Sequence, residues 1–322
     1  MNQSVDMMAN IAESTKKTHN RAKRNDLIFV WGMLALPILH FLIFWLYINS
    51  STIFMTFFRY NPSIQKYQWY GLNNFINLFE DMFLGGDPRT FNSMLNSLII
   101  FPVNNFIILP LSFVAAYFLS KKVPFFNFFR VLFFMPSMIS ITVLALCYRS
   151  MFDTDHGPIF MLINAVLGGT APDFLDVTGG YAMTIAFSFS VWSGLGYNVV
   201  LLNGAISRIP EEILESARLD GISTTRELFN IVLPLSWGTV STLFILNSLS
   251  IFGWFLPAML VISDTGGVNG KTSTIALYVY QLVNAGKGEE AAALGLMFSL
   301  IGIPFVFGVK WLMDKITPTI EF

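Results

Sequence analysis

Six long apolar stretches, separated by polar loops, constrain this chain more than any other feature of its sequence. They run roughly from Leu27 to Ile48, Ser97 to Leu119, Val131 to Tyr148, Met183 to Ile206, Val240 to Ile262 and Ala291 to Trp311. A bilayer core of about 30 Å is crossed by about 20 apolar helical residues, and all six approach or exceed that length, the third being the shortest. In hydrocarbon each backbone N–H and C=O needs an internal partner, so an isolated apolar segment crosses as a helix. The chain is 54% hydrophobic and only 12% charged, about half the charge of an average soluble domain. The fold class read from these facts is all-α: a polytopic membrane protein with six transmembrane helices.

Residues 1–26 read as a polar cytoplasmic tail and 27–322 as one six-span domain. The first stretch is not a cleaved signal, because it is long, follows a polar segment and lacks a small-residue cleavage site. Lysine and arginine set the orientation. With the amino terminus inside, 13 of the 19 basic residues fall on the cytoplasmic side, including Lys16, Arg24, Lys121, Lys122, Arg218 and Lys310. The other 6, such as Arg59, Arg89 and Lys271, fall outside. Both termini are then cytoplasmic. The outer segment from Asn49 to Asn96, with Asn61-Pro62, Gly85-Gly86 and Asp87-Pro88, is expected to fold in part against the membrane surface.

Between the fourth and fifth stretches lies a polar island. Pro210 suits the first position of a helix, and Glu211, Glu212 and Glu215 place negative charge near the positive end of its dipole. Ser216 and Ala217 give a flank without bulk; Arg218 and Asp220 add charge; Gly221 can take the left-handed conformation that ends a helix. Thr224 and Glu227 fit a capping box, so a second helix is expected to run through Ile231, Leu233 and Pro234. The result is helix, glycine bend, helix, on the cytoplasmic side.

This order resembles the EAA loop of permease subunits in bacterial ATP-binding-cassette importers: Glu-Ala-Ala, three residues, Gly, nine residues, Ile, any residue, Leu-Pro. Glu215, Ala217, Gly221, Ile231, Leu233 and Pro234 match in register, with Ser216 replacing one alanine by another small residue. The stretch Asn127 to Pro136, Gly157-Pro158, and Trp192 with Asn198 are similar to the carbohydrate-importing, maltose-type branch. The resemblance implies a subunit of the bacterial plasma membrane, working with a second homologous permease, two cytoplasmic ATPases that bind ATP and magnesium, and an external solute-binding protein. It makes Glu211, Glu212, Glu215, Ser216, Ala217, Arg218, Asp220 and Gly221 the surface that couples to the ATPases. The permease of another solute, such as a polyol or glycerophosphodiester, and a non-transporting scaffold or sensor are the alternatives.

Searches for catalytic chemistry return nothing, so the chain reads as a non-enzyme with no cofactor or metal of its own. Gly266 to Thr272 echoes a phosphate loop, but its spacing fails. His19, His40 and His156 are scattered, Cys147 is alone, and Asp153, Asp155, Asp173 and Asp176 lack the spacing of a calcium loop. No basic run suggests nucleic acid. Polar groups inside spans tend to face a protein interior or a water-filled path. Among these, Trp192, Tyr197, Asn198, Asn247 and Trp254 are the candidates for the solute path: amides exchange hydrogen bonds with hydroxyls, and aromatic faces pack on sugar rings.

Overall fold

A computed structural model describes Lys23, residues 25–178 and residues 180–316. The expected tail at 1–26 therefore lies outside the described residues, apart from Lys23, Asn25 and Asp26. By its internal contacts the chain divides after Met55. The first unit contributes a single apolar helix, α1 (Asn25–Met55), none of whose side chains is buried within the chain. Pro37 sits inside α1 without ending it, and a π-helical stretch follows at Phe41–Tyr47.

The second unit opens with a hairpin, β1 (Phe58–Asn61) antiparallel to β2 (Lys66–Trp69), with Phe58 opposite Trp69. This hairpin is the one departure from helix among the regular elements described. It is tied to the far end of the unit: the Tyr60 N–H donates to Glu289 Oε1 at 2.6 Å, and Arg59 pairs with Glu290 at 3.3 Å. The amphipathic helix α2 (Asn73–Phe83) buries Asn74, Leu78 and Met82, and the Asn74 amide donates to the carbonyls of Thr56 and Phe58 at 2.8 and 2.9 Å. Much of the segment from Asn49 to Asn96, which was expected to lie outside, is thus regular structure.

Helix α3 (Pro88–Ser120) starts above the apolar stretch, at Pro88 rather than Ser97. Asp87 caps it, its carboxylate accepting from Arg89 N at 2.9 Å, and Pro88 occupies a first-turn position where its missing N–H is harmless. Pro102 is absorbed by a π-helical stretch at Val103–Ile108, so α3 continues past it. The third expected span is not straight. It is α4 (Phe126–Met138) followed by α5 (Ile141–Met151) at 107°, with Ile139 extended at the corner. Pro136, lacking an N–H, weakens the last turn of α4 just before this break.

After α6 (Pro158–Val166), the 25-residue helix α7 (Ala182–Ile206) crosses without interruption. Then come α8 (Glu211–Leu219), α9 (Thr224–Leu235) and α10 (Trp237–Phe252), the last two bent by 76° around Ser236. The stretch Val240 to Ile262 was expected to be one helix; it is not. At Gly253 and Trp254 the chain leaves helical geometry and resumes in a π-helical turn at Ala258–Ile262. Helices α11 (Ile275–Asn284) and α12 (Gly288–Ile316) complete the described residues. Among the described residues four helices, α1, α3, α7 and α12, are long and apolar enough to cross a membrane unbroken; counting each bent pair as one crossing gives six.

The core nearest α8 joins α3, α7, α9 and α10 through Phe113, Tyr117, Val199, Leu202, Val232 and Leu243. Polar side chains stitch α3 to α7: Asn203 donates to the Ala116 carbonyl at 3.3 Å and the Ser112 hydroxyl to the Leu195 carbonyl at 3.4 Å. Gly194 and Gly196 lie in unbroken helix. Gly196 permits close packing of α4 against α7, as small residues do between membrane helices.

Candidate functional site

The polar island forms two structured pieces. Pro210 takes the cap position with ψ 133°, so helix α8 begins one residue later than expected, at Glu211. Glu211 and Glu212 occupy its first turn. The inward face is Ala217, buried, with Ile213 and Leu214 half-buried; Leu214 packs on the cluster containing Leu228 and Val232. Glu211, Glu212, Glu215, Ser216, Arg218, Asp220 and Gly221 are all exposed. The end of α8 is a Schellman turn: Gly221 N donates to Arg218 O at 3.0 Å, Ile222 N to Ala217 O at 3.2 Å, and Gly221 has φ +71°. The expected glycine bend is present. Beside it, a groove of about 450 Å³ is lined by Glu212, Ile213, Ser216, Asp220, Ile222 and Ile231.

Leu219, which the sequence reading passed over, is 89% exposed at the end of α8. An apolar side chain so open, on a helix whose apolar inward face is already occupied, points to a partner rather than to this chain's own core. The signal was present as an apolar residue outside the inward stripe.

The capping box expected at Thr224 and Glu227 does not form. Ser223 is the residue before the first helical position, without a side-chain cap, and Glu227 is drawn elsewhere. Its Oε2 accepts from Lys121 Nζ at 3.0 Å, with the Glu227 side chain 3% and the Lys121 side chain 22% exposed. Lys121 Nζ also lies 4.7 Å from the centre of the Tyr117 ring, while the Tyr117 hydroxyl donates to the Thr224 carbonyl at 3.3 Å. Burial alone would push the Lys121 ammonium down; the Tyr117 hydroxyl and the Glu227 carboxylate outweigh it, and Lys121 titrates above its usual range.

A second place of interest is a cleft of about 490 Å³ between α7, α10 and the segment after Gly253. Tyr197, Asn198, Asn247 and Trp254 all line it, joined by Asn104 and Ser250. Trp192 does not line it; its ring stacks on Tyr148 with centroids 5.9 Å apart. Trp254 is held by an indole hydrogen bond to Ser190 Oγ at 3.0 Å and by stacking on Phe187 at 5.5 Å. The Asn198 amide donates to the Gly194 carbonyl at 3.0 Å, which leaves its buried Oδ1 without a partner. Asn247 has the complementary vacancy, a buried Nδ2 with nothing to donate to. Both atoms are buried rather than open to the cleft; the lining itself carries amide, hydroxyl and aromatic side chains and no charged one. Serines 190, 193 and 250, which also line it, gave no sequence signal because small hydroxyls within helices commonly bond back to their own helix.

Elsewhere, the loop that resembles a phosphate loop is packed scaffold: Asn92 and Asn96 donate to the carbonyls of Asn269, Lys271 and Ser273 at 2.7 to 2.9 Å. Asp153 and Asp155, which lack the spacing of a calcium loop, meet His156 on one exposed turn with their ligand atoms within 4.8 Å. There the Asp153 carboxylate accepts from the backbone N–H of Asp155 and His156.

Six helical crossings, a bent polar segment between the fourth and fifth, and an uncharged cleft beside the same two crossings define a multi-pass membrane permease. Residues 108–321 match the family of binding-protein-dependent transport system inner membrane components, and the chain belongs to that family. It is 26% identical over 246 residues to the probable ABC transporter permease YurN of Bacillus subtilis, covering 76% of this chain and 81% of that one. It is 24% identical over 292 residues to the multiple sugar-binding transport system permease MsmF of Streptococcus mutans, covering 87% and 93%. A chain of a bacterial alginate ABC transporter, solved with an alginate pentasaccharide-bound periplasmic protein, shares the fold with a TM-score of 0.78 at 21% identity, over 92% of this chain and 97% of that one. The resemblance read from the EAA-like order is borne out.

Proposed function

We propose that this chain is one permease subunit of an ATP-driven importer of a neutral carbohydrate, paired with a second, homologous permease in the plasma membrane, both termini cytoplasmic. Two cytoplasmic ATPases hold ATP and magnesium, an external binding protein delivers the solute, and the chain itself performs no chemistry. Residues 27–322 act as the permease domain. Alternating access is a rigid-body rearrangement passed up from α8.

The observation that carries the substrate class is the uncharged cleft lined by Asn198, Asn247, Tyr197 and Trp254. A sugar hydroxyl both donates and accepts, so it matches a lining of amide and hydroxyl groups, and the Trp254 and Tyr197 rings supply the apolar surface a pyranose face needs. A glycerophosphodiester would place its phosphate in this cleft without a cation to meet it. Trp192 supports the path from behind, through Tyr148. The coupling part rests on the exposed acidic residues of α8, on Leu219 and on the bend at Gly221.

The test is co-expression with the candidate ATPase, partner permease and binding protein. The account expects a complex whose ATP hydrolysis rises when binding protein is added with a neutral sugar and not with alginate pentasaccharide. A complex that assembles but never responds to any loaded binding protein would leave a scaffold as the better reading. Stimulation by the acidic sugar alone would overturn the substrate class.

A further inference from the structure

We infer that Tyr117 and Lys121 form a two-point grip on the coupling loop, a positioning device that binds its motion to α3. The inference rests on the coupling role proposed for α8. Tyr117 and Lys121 stand one helical turn apart at the end of α3, on one face. Tyr117 holds the first residue of the turn that follows the glycine bend, through the Thr224 carbonyl at 3.3 Å. Lys121 holds the last residue of that turn, through the Glu227 carboxylate at 3.0 Å. The turn Thr224–Glu227 is thus clasped at both ends.

A buried ion pair is a poor way to gain stability, since taking both charges out of water offsets their attraction and an apolar pair often serves as well. What the pair supplies is register: a slide of α9 along α3 leaves the Glu227 carboxylate buried and unpaired. Behind the grip, α3 is joined to α7 by the Asn203 and Ser112 hydrogen bonds, and α7 carries Tyr197 and Asn198. The coupling loop therefore reaches the cleft by a second route besides its own chain connections to α7 and α10.

The experiment places spin labels at Lys122→Cys and Ser223→Cys, both exposed, in a Cys147→Ala chain assembled with its ATPases, and reads the distance between them without nucleotide and after trapping with ATP and vanadate. The wild-type background should give one and the same distance peak in both states. Lys121→Leu with Glu227→Leu, an apolar pair that preserves packing, should assemble but add a second, longer peak on trapping. Glu227→Gln should do so in smaller proportion, and the exchange Lys121→Glu with Glu227→Lys should recover the single peak. Labels that part on trapping in the wild-type background would overturn the grip, as would an apolar pair that keeps one peak in both states. Failure of the ATPases to co-purify with the wild-type chain would instead overturn the permease reading, and the grip's role with it.

Discussion

Gly196 and Phe133 stand so close that a Cβ on Gly196 would lie 2.6 Å from the Phe133 carbonyl oxygen. Backbone of α4 cannot yield as a side chain would. Gly196→Ala should therefore pry α4 from α7 and cost about 1–3 kcal/mol, the range for overpacking. Gly194→Ala is the matched control, since its Cβ would meet only the Ile108 side chain, Cδ1 at 3.2 Å and Cγ2 at 3.5 Å. Thermal unfolding of the purified variants in detergent should show a clear loss for the first and little for the second. Equal midpoints would mean the two helices do not depend on this contact.

Gly221 has open space around its missing Cβ but a φ of +71°. Only backbone strain opposes a side chain there. Gly221→Val should lose roughly 1–2 kcal/mol of preference for the bend, redirect α8 and sharply reduce ATPase capture, whereas Gly221→Asn, which tolerates the left-handed region, should retain much of it. Capture by the valine variant at the wild-type level would remove the bend from the coupling account.

Leu219 and Glu215 are exposed, so changing them leaves the fold of the free chain intact. Leu219→Glu loses an apolar anchor and Glu215→Lys reverses a charge at the same surface. Each should weaken capture of the ATPase on the order of tenfold, equivalent to about 1.4 kcal/mol, with an unchanged unfolding midpoint. A fall in the midpoint with capture unaltered would assign them to stability instead.

The parts of this molecule that sequence reveals are those set locally. The glycine bend at Gly221 is legible because one residue type answers one backbone conformation, and the apolar stretches because hydrocarbon demands them. Long-range pairing is not visible in that way. Glu227 matched a capping box in the sequence, yet Lys121, distant along the chain, competes for its carboxylate and wins. The corner at Ile139 and the break after Gly253 were hidden for a different reason: apolar residues continue through both, so composition stays uniform while the backbone turns. For the cleft, four of five residues come together, but Trp192 is turned toward Tyr148 by stacking that no spacing rule encodes.

Topology is checked by labelling. Single cysteines at Ser223 and Asn269 in a Cys147→Ala chain should react with an impermeant thiol reagent from opposite faces, Asn269 in intact cells and Ser223 only after the inner face is opened. Reaction of both from outside would contradict the orientation drawn from the basic residues.

Uptake into sealed vesicles tests the central claim most directly. Assembled complex, with ATP on the ATPase side and a panel of radiolabelled sugars delivered by the binding protein, should accumulate a neutral saccharide in an ATP-dependent manner. Asn198→Ala and Asn247→Ala, normalised to assembled complex, should each weaken apparent affinity by about 0.5–1.5 kcal/mol, roughly two- to twelvefold, without a fall in complex yield. Complex that hydrolyses ATP yet accumulates no sugar, or asparagine variants that lose yield while affinity and sugar preference stay unchanged, would contradict the account.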